Sequence, residues 1–301
     1  MSHPLSARYY SDRALQCRVT IVENLRIARD TYRLRVHCPE IAARIVPGQF
    51  VMVRIADCDD PLLGRPLALY DTVLDDSGNP VGIDIVYLVL GKMTSRLVGL
   101  STGAPLEIWG PLGNGFPPPE VEHLVMVAGG IGQTPFPALA QEAFGHRVYG
   151  DPPREFSPVS RVTFCYGART ADYLADVPRF EALGIDVRLS TDDGSFGHHG
   201  LVTDLLRDTL AEALPGGQHE AQQPSSLRIV CCGPEPMMEA TAEIASQANV
   251  PCQVSLETPM ACGIGICFSC VTRVRDSEEG DWDYKRTCVE GPIFDAQQIV
   301  W

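Results

Sequence analysis

The clearest chemistry in the chain lies in four cysteines near its C-terminal end. The run CGIGICFSC places Cys262, Cys267 and Cys270 in a C-x4-C-x2-C pattern, and Cys288 follows after seventeen intervening residues. This spacing suits a plant-type 2Fe-2S cluster, in which a tight loop aims three thiolates at the two irons and a distant segment closes the fourth position. Gly263 and Gly265 meet the same demand, because glycine lets the backbone bend around a cluster and bring its N–H groups close to the sulfides. A structural zinc site is the rival reading. Zinc usually draws on two close ligand pairs, however, and Cys288 has no near partner in the sequence. The four cysteines are therefore expected to hold a 2Fe-2S cluster as one station of an electron relay. The acidic stretch DSEEGDWDY between Cys270 and Cys288 reads as a solvated loop.

A second signal is rich in glycine. VMVAGGIGQTPF sets Gly129, Gly130 and Gly132 between an apolar run and a helical segment, a turn at which a pyrophosphate could meet backbone N–H groups. It is not the G-x-G-x-x-G fingerprint, and such a turn often serves only tight packing. CYGAR at 165 to 169 and CCGPEPMM at 231 to 238 add two more glycine turns at strand ends, and the second contributes Cys232, Gly233 and Pro234. Met237 and Met238 at the following helix start read as packing. In LLGRPLALYD, Arg65 and Pro66 precede a strand, where an arginine could bridge a diphosphate or simply face solvent. GKMTSRL offers Lys92 and Thr94 as phosphate donors of the same kind. His198 and His199 stand in a glycine loop without carboxylates or thiolates close in sequence, and are expected to be solvent-exposed and metal-free.

Positioning these residues calls for three pieces of structure. Through about residue 118 the chain alternates apolar and polar positions in six short runs: LQCRVTIVE, TYRLRVHC, QFVMVRI, PLALYDTV, GIDIVYLVL and PLEIWG. They predict a small closed antiparallel barrel over residues 12–118. After PPPE at 117 to 120 the pattern changes to apolar strands at 123–129, 161–167, 185–191 and 227–233 with helices between them, which predicts a parallel α/β domain over 119–250. The polar segments 145–160 and LPGGQHEAQQPSS read as loops. Residues 251–301 form a third, cysteine-rich module. The fold class is thus multidomain, β plus α/β with a small C-terminal module.

Composition narrows the function. With 38 acidic against 24 basic residues the formal charge is −14, which argues against a nucleic-acid partner but leaves room for an acidic face that meets a basic protein. The first residues lack a basic start with an apolar run behind it, and no stretch approaches the length that spans a bilayer. No membrane is expected, and the cytoplasm is the expected location. There, 11 cysteines are better read as ligands or buried thiols than as a disulfide framework.

Taken in order, RPLA in a barrel, GPLGNGF at 110 to 116, VAGGIG, TDDGSFG at 191 to 197, CGPEPMM and CGIGICFSC resemble the electron-transfer subunits of B-type dihydroorotate dehydrogenase, over nearly the whole chain. These belong to the ferredoxin-reductase-like flavoproteins. The resemblance implies an FAD-binding barrel, a nicotinamide-nucleotide domain and a 2Fe-2S module. It also implies that FAD is held by Arg65, Pro66, Leu67 and Ala68, by Val86, Tyr87 and Leu88, and by Met93 and Thr94. Three of these depart from the family pattern: Ala68 stands where serine is usual, Leu88 where a basic residue is common, and Met93 where glycine precedes threonine. The segment around GDPPREFSP looks longer than the family norm.

The implied activity, in pyrimidine biosynthesis, passes electrons from dihydroorotate through FMN on a separate catalytic subunit, then the cluster and FAD, to NAD. The implied assembly is a heterotetramer. No catalytic acid or base is expected on this chain, nor turnover of dihydroorotate by it alone. The alternatives are a flavin and iron-sulfur subunit of a hydrogenase, sulfite reductase or ferredoxin-NADP oxidoreductase, or, from another class, a docking protein built on structural zinc. NAD and NADP are not separated, since Arg169 would suit a 2′-phosphate and Asp172 a ribose hydroxyl.

Overall fold

Alternation along the first six strands closes a barrel because one face of each strand is apolar and has nowhere else to be buried. The computed structural model describes residues 11–155, 157–214, 226–275 and 281–301. The barrel consists of β1 (Leu15–Ala28), β2 (Thr31–His37), β3 (Phe50–Ile55), β4 (Arg65–Leu74), β5 (Pro80–Leu88) and β6 (Pro105–Leu112), closed in the order β1-β2-β5-β4-β3-β6. Short helices α1 (Pro39–Ala42) and α2 (Lys92–Leu97) fill the connections. Val19, Ile21, Leu34, Val36, Ile83 and Ile85 lie in its interior.

The second domain is a seven-stranded sheet, order β10-β9-β8-β7-β11-β12-β15. Its strands are β7 (His123–Gly129), β8 (Arg161–Ala168), β9 (Asp186–Thr191), β10 (His198–His199), β11 (Leu227–Cys232), β12 (Cys252–Ser255) and β15 (Ile293–Asp295). All neighbours pair in parallel except β12 with β15. Helices cover both faces, which is why β7 is apolar on both. Val125 and Val127 pack under α5 (Val202–Ala213) and α6 (Glu235–Gln247), while Leu124, Met126 and Ala128 meet α3 (Phe136–Ala143) and Phe180 of α4 (Val177–Ala182). A hairpin of β13 (Val271–Arg275) and β14 (Trp282–Arg286) completes the fold.

Two features differ from the reading of the sequence. The sheet continues beyond residue 250, because β12 and β15, within the cysteine-rich piece, extend it by two strands; three- and four-residue strands are too short to show a period of two. The acidic stretch before Cys288 is a loop only in part, since Trp282–Arg286 is β14, and residues 276–280 lie outside the described residues. Most of LPGGQHEAQQPSS also lies outside them. Among the described residues, no helix is long and apolar enough to cross a membrane.

Candidate redox site

The cysteine loop sits directly on the barrel. Gly263 has φ +74°, and a Cβ there would stand 2.6 Å from Met52 Cγ and 3.0 Å from Leu112 Cδ1, so only glycine lets the loop approach β3 and β6 this closely. Phe50, Met52 and Leu112 share one apolar cluster with Cys270, Cys288 and Val289. Trp109 of β6 donates its Nε1–H to Cys262 O at 2.9 Å. From the far side, the nearly buried Arg286 donates to Gly265 O at 3.1 Å, pairs with Glu290 and lies 5.0 Å from the centre of the Phe268 ring.

All four cysteines carry free thiols, and they fall into two neighbouring pairs, Cys262 with Cys267 and Cys270 with Cys288. Among the described residues, no three His, Cys, Asp or Glu side chains gather around one point, as a single tetrahedral ion would require. Two pairs are what a two-iron cluster needs, one pair for each metal. Acidity sorts the cysteines in the same way. Burial acts upward on Cys267, but the hydroxyl and N–H of Ser269 and the Cys262 thiol outweigh it and bring Cys267 down to about 6. The Cys288 thiol, followed by Thr287, draws Cys270 down to about 6, while Cys288 as donor is raised. Burial instead pushes Cys38, Cys232 and Cys252 up to about 12 and Cys165 up to about 11, the behaviour of packing thiols. A backbone donor also reaches a loop sulfur, from Ile264 N to Cys262 Sγ at 3.4 Å. The donor set fits the cluster.

One strand away lie the flavin candidates. Strand β3 pairs Met52 with Pro66 and Phe50 with Ala68, so the start of β4 runs beside the strand that carries the cysteine loop. The register Leu69↔Ile85 sets the end of β5 on the other side of β4 and brings Val86 and Leu88 to the same region. Pro66, Leu67, Ala68 and Leu88 are half-buried, Arg65 is exposed, and Leu62, Leu63 and Leu90 expose apolar surface on the flanking loops. Lys92 and Arg96 add cations, both held by Asp60. An apolar shelf edged by cations fits a ring system joined to a diphosphate.

Several expected side chains are committed elsewhere. Tyr87 points into the barrel, stacks on Tyr32 and donates to Asn24 Oδ1 at 3.0 Å, and Met93 is buried in the same interior. The Thr94 hydroxyl caps α2 by accepting from Leu90 N and Gly91 N. Arg65 Nη1 donates to Leu63 O and Gly64 O.

The third set of candidates meets at the point where the strand order turns back, between β7 and β11. Here the glycines divide their work. A Cβ at Gly132 would lie 2.2 Å from Cys232 O, and one at Gly129 would lie 2.7 Å from Met237 Sδ and 2.8 Å from Pro234 Cδ, so these two interlock the turn with CCGP. Gly130, at φ +55°, faces open space and is the one that leaves room for a ligand. Gln133 closes the same turn fully buried, with neither amide atom partnered by protein. A buried amide of this kind calls for a water or a bound polar group. The sequence reading missed both Gln133 and Arg286. Only the position of Arg286 two residues before Cys288 could have signalled it.

Met238 is buried and Met237 packs on Gly129 and Gly233, as expected. His198 and His199 are exposed, also as expected, although Asp204 does approach His198, at 3.5 Å. Asp172 turns its carboxylate toward Arg29 of the barrel, at 3.9 Å.

Comparison with known proteins agrees with this partition. Residues 18–116 match the family described as an oxidoreductase FAD-binding domain, 126–243 an oxidoreductase NAD-binding domain, and 257–300 the iron-sulfur cluster binding domain of dihydroorotate dehydrogenase B. The chain is 34% identical to the dihydroorotate dehydrogenase B (NAD(+)) electron transfer subunit of Desulforamulus reducens, over 91% of this chain and 94% of that one. To the subunit of the same name from Clostridium acetobutylicum it is 32% identical, over 93% and 95%. Among solved structures, one of an NADH-dependent reduced ferredoxin-NADP oxidoreductase aligns with a TM-score of 0.74 at 27% identity, covering 94% of this chain and 90% of the other. A ferredoxin NADP+ reductase from Neisseria gonorrhoeae, at 16% identity and a TM-score of 0.60, shares the fold.

Proposed function

The chain belongs to the electron transfer subunits of dihydroorotate dehydrogenase B, and from that membership we propose that Cys262, Cys267, Cys270 and Cys288 stand between a partner's FMN and a flavin seated on β4. Bound there, a flavin would supply hydride exchange with nicotinamide and single-electron exchange with the cluster, so no side chain of this chain has to abstract a proton.

The observation that carries the proposal is the shared strand. Met52 touches the cysteine loop on one side and pairs with Pro66 on the other, which supports a separation of about two strand spacings, roughly 10 Å, between the two centres. Pro66, Leu67 and Ala68 with Val86 and Leu88 form the seat for the ring. Arg65 and the backbone at Tyr87, Met93 and Thr94 serve the rest of FAD. Gly130 gives NAD its approach, while Gly129, Gly132, Cys232, Gly233 and Pro234 hold the two turns together. Exposed Ile266 and Phe268 on the cysteine loop, with Trp282 and Tyr284 on β14, offer the catalytic partner an apolar and aromatic face around the cluster. The subunits would form a heterotetramer, working in the cytoplasm in pyrimidine biosynthesis.

Anaerobic purification followed by an absorption spectrum and iron, sulfide and flavin analysis tests the assignment. Two irons, two sulfides and one flavin per chain are expected, with NADH oxidation by an artificial acceptor and dihydroorotate turnover only after the catalytic subunit is added. Zinc without flavin, or dihydroorotate turnover by the chain alone, would overturn it. The second reading, a reductase subunit of another complex, draws on the likeness to the ferredoxin-NADP oxidoreductase structure. It is supported if the catalytic subunit neither binds nor restores turnover.

A further inference from the structure

Four side chains of the α/β domain converge on a single carboxylate of the barrel. Asp71 of β4 is 2% exposed. It accepts from Gln141 Nε2 at 2.7 Å, Arg147 Nη1 at 2.7 Å and Tyr149 OH at 2.8 Å, and contacts the Arg179 guanidinium. Arg147 also donates to Thr72 O at 2.6 Å. One residue earlier on the strand, Tyr70 donates to Asp176 Oδ2 at 2.6 Å while Arg179 lies 5.0 Å from the centre of the Tyr70 ring. The two carboxylates, Asp71 and Asp176, balance the two guanidinium groups. A carboxylate this deep is tolerated only when paired and hydrogen-bonded on all sides, so the arrangement holds as a unit or not at all.

Its place in the fold gives this cluster a role beyond cohesion. Strand β4 begins with the flavin seat at Arg65 to Ala68, and Asp71 lies three residues on, about 10 Å along the same strand. Gln141 belongs to α3, the helix that follows the Gly129 to Gln133 turn at the nucleotide site. Arg147 and Tyr149 come from the polar segment that follows α3. The network therefore ties the strand under the flavin to the helix behind the nucleotide.

We infer that Asp71, Arg147, Tyr149 and Arg179 form an interdomain latch of positioning residues that sets the nicotinamide ring against the flavin. The inference rests on the proposed seating of FAD and NAD. Hydride transfer tolerates little misplacement, and an error of about 1 Å can cost about a hundred-fold in rate. A loosened latch therefore lowers the limiting rate of flavin reduction. It leaves NADH affinity unchanged, because the nucleotide stays on its own domain.

The test uses the full-length protein loaded with flavin and cluster, as wild type, Arg147→Gln, Arg147→Lys and the nearly isosteric Tyr149→Phe. In stopped-flow reduction by NADH, Arg147→Gln is expected to slow the limiting rate about ten-fold or more, with unchanged Kd, flavin content and cluster absorbance; Tyr149→Phe falls between it and wild type, and Arg147→Lys recovers most of the rate. Hydrogen exchange should rise in 139–150 and 176–182 in Arg147→Gln and stay at wild-type levels in β1 and β2. A limiting rate that does not change, or one that falls only in step with lost flavin, overturns the latch. So does unchanged exchange at 139–150 and 176–182, which decides the matter even if the wild type proves not to be reduced by NADH, a result that would sink the proposed function instead.

Discussion

Replacing Gly263 with alanine tests whether the barrel holds the cysteine loop in its working shape. The methyl group meets two obstacles. At φ +74° an alanine costs about 1 kcal/mol for the left-handed backbone alone. A Cβ 2.6 Å from Met52 Cγ, in a strand that also pairs with Pro66, adds overpacking of about 1 to 3 kcal/mol, because Met52 is fully buried and cannot swing into solvent. The loop is then about 3 kcal/mol less stable when closed, which raises the population of open loop on the order of a hundred-fold. Iron release to a strong chelator reads that population directly. Gly265→Ala carries the same backbone cost at φ +80°, but its closest neighbour, Val289 Cγ1, is 3.1 Å away, and about a ten-fold increase is expected. Gly103→Ala, at φ +86° with open space around it, controls for a general loss of stability and should leave iron release unchanged. If Gly263→Ala releases iron no faster than Gly265→Ala, contact with the barrel does not hold the loop and the reasoning fails.

Four further predictions follow from the same geometry. Cys288→Ser removes the partner of Cys270 and should yield a yellow protein that keeps flavin and loses iron; two irons retained per chain would contradict the pairing. Trp109→Phe loses the Nε1–H donated to Cys262 O, about 1 kcal/mol, together with part of the indole packed under the cysteine loop, and should speed iron release several-fold or more without changing flavin content. His123 is buried against Thr163, and burial, with Arg161 adding, lowers it to about 4. Its depressed pKa means that the unfolded chain takes up the proton first as pH falls from about 6.5 to about 4, so up to about 3 kcal/mol of stability is lost across that window, and urea titrations of His123→Gln should show a flatter profile there. Arg154→Met strands the buried Glu142 carboxylate, which burial already pushes up, and should cost about 3 to 5 kcal/mol at pH 8; the calorimetric deficit should shrink toward pH 5, where Glu142 can take a proton, and a pH-independent deficit would refute this.

Much of the architecture was open to reading because it rests on local regularities. The expected strand at 123–129 is β7, His123–Gly129, to the residue, and 161–167 and 227–233 each differ from β8 and β11 by one position at the C-terminal end. Long strands buried on both faces announce themselves, since most of their residues must be apolar. The short β12 and β15 do not, and their membership of the sheet depends on neighbours 23 positions away in β11 and 38 to 42 apart in each other. Likewise, the segment 145–160 looked like a polar loop because arginine and tyrosine side chains carry no record of what they will meet. Only folding brings Arg147 and Tyr149 to Asp71 and Arg154 to Glu142.

The candidate site divides along the same line. Ligand chemistry is a property of residue type and spacing, so Cys262, Cys267, Cys270 and Cys288 pointed to a two-iron cluster in the sequence itself, and the order of motifs along the chain pointed to the family to which the chain belongs. Which atom of a residue faces a ligand is a property of strand register and packing. Register sends the Tyr87 ring into the barrel, capping occupies the Thr94 hydroxyl, and interlocked turns consume Gly129 and Gly132 while leaving Gly130 open. The proposed separation of cluster and flavin is a matter of tertiary structure alone, because it rests on Met52 lying between two segments nearly two hundred residues apart, Pro66 and Gly263.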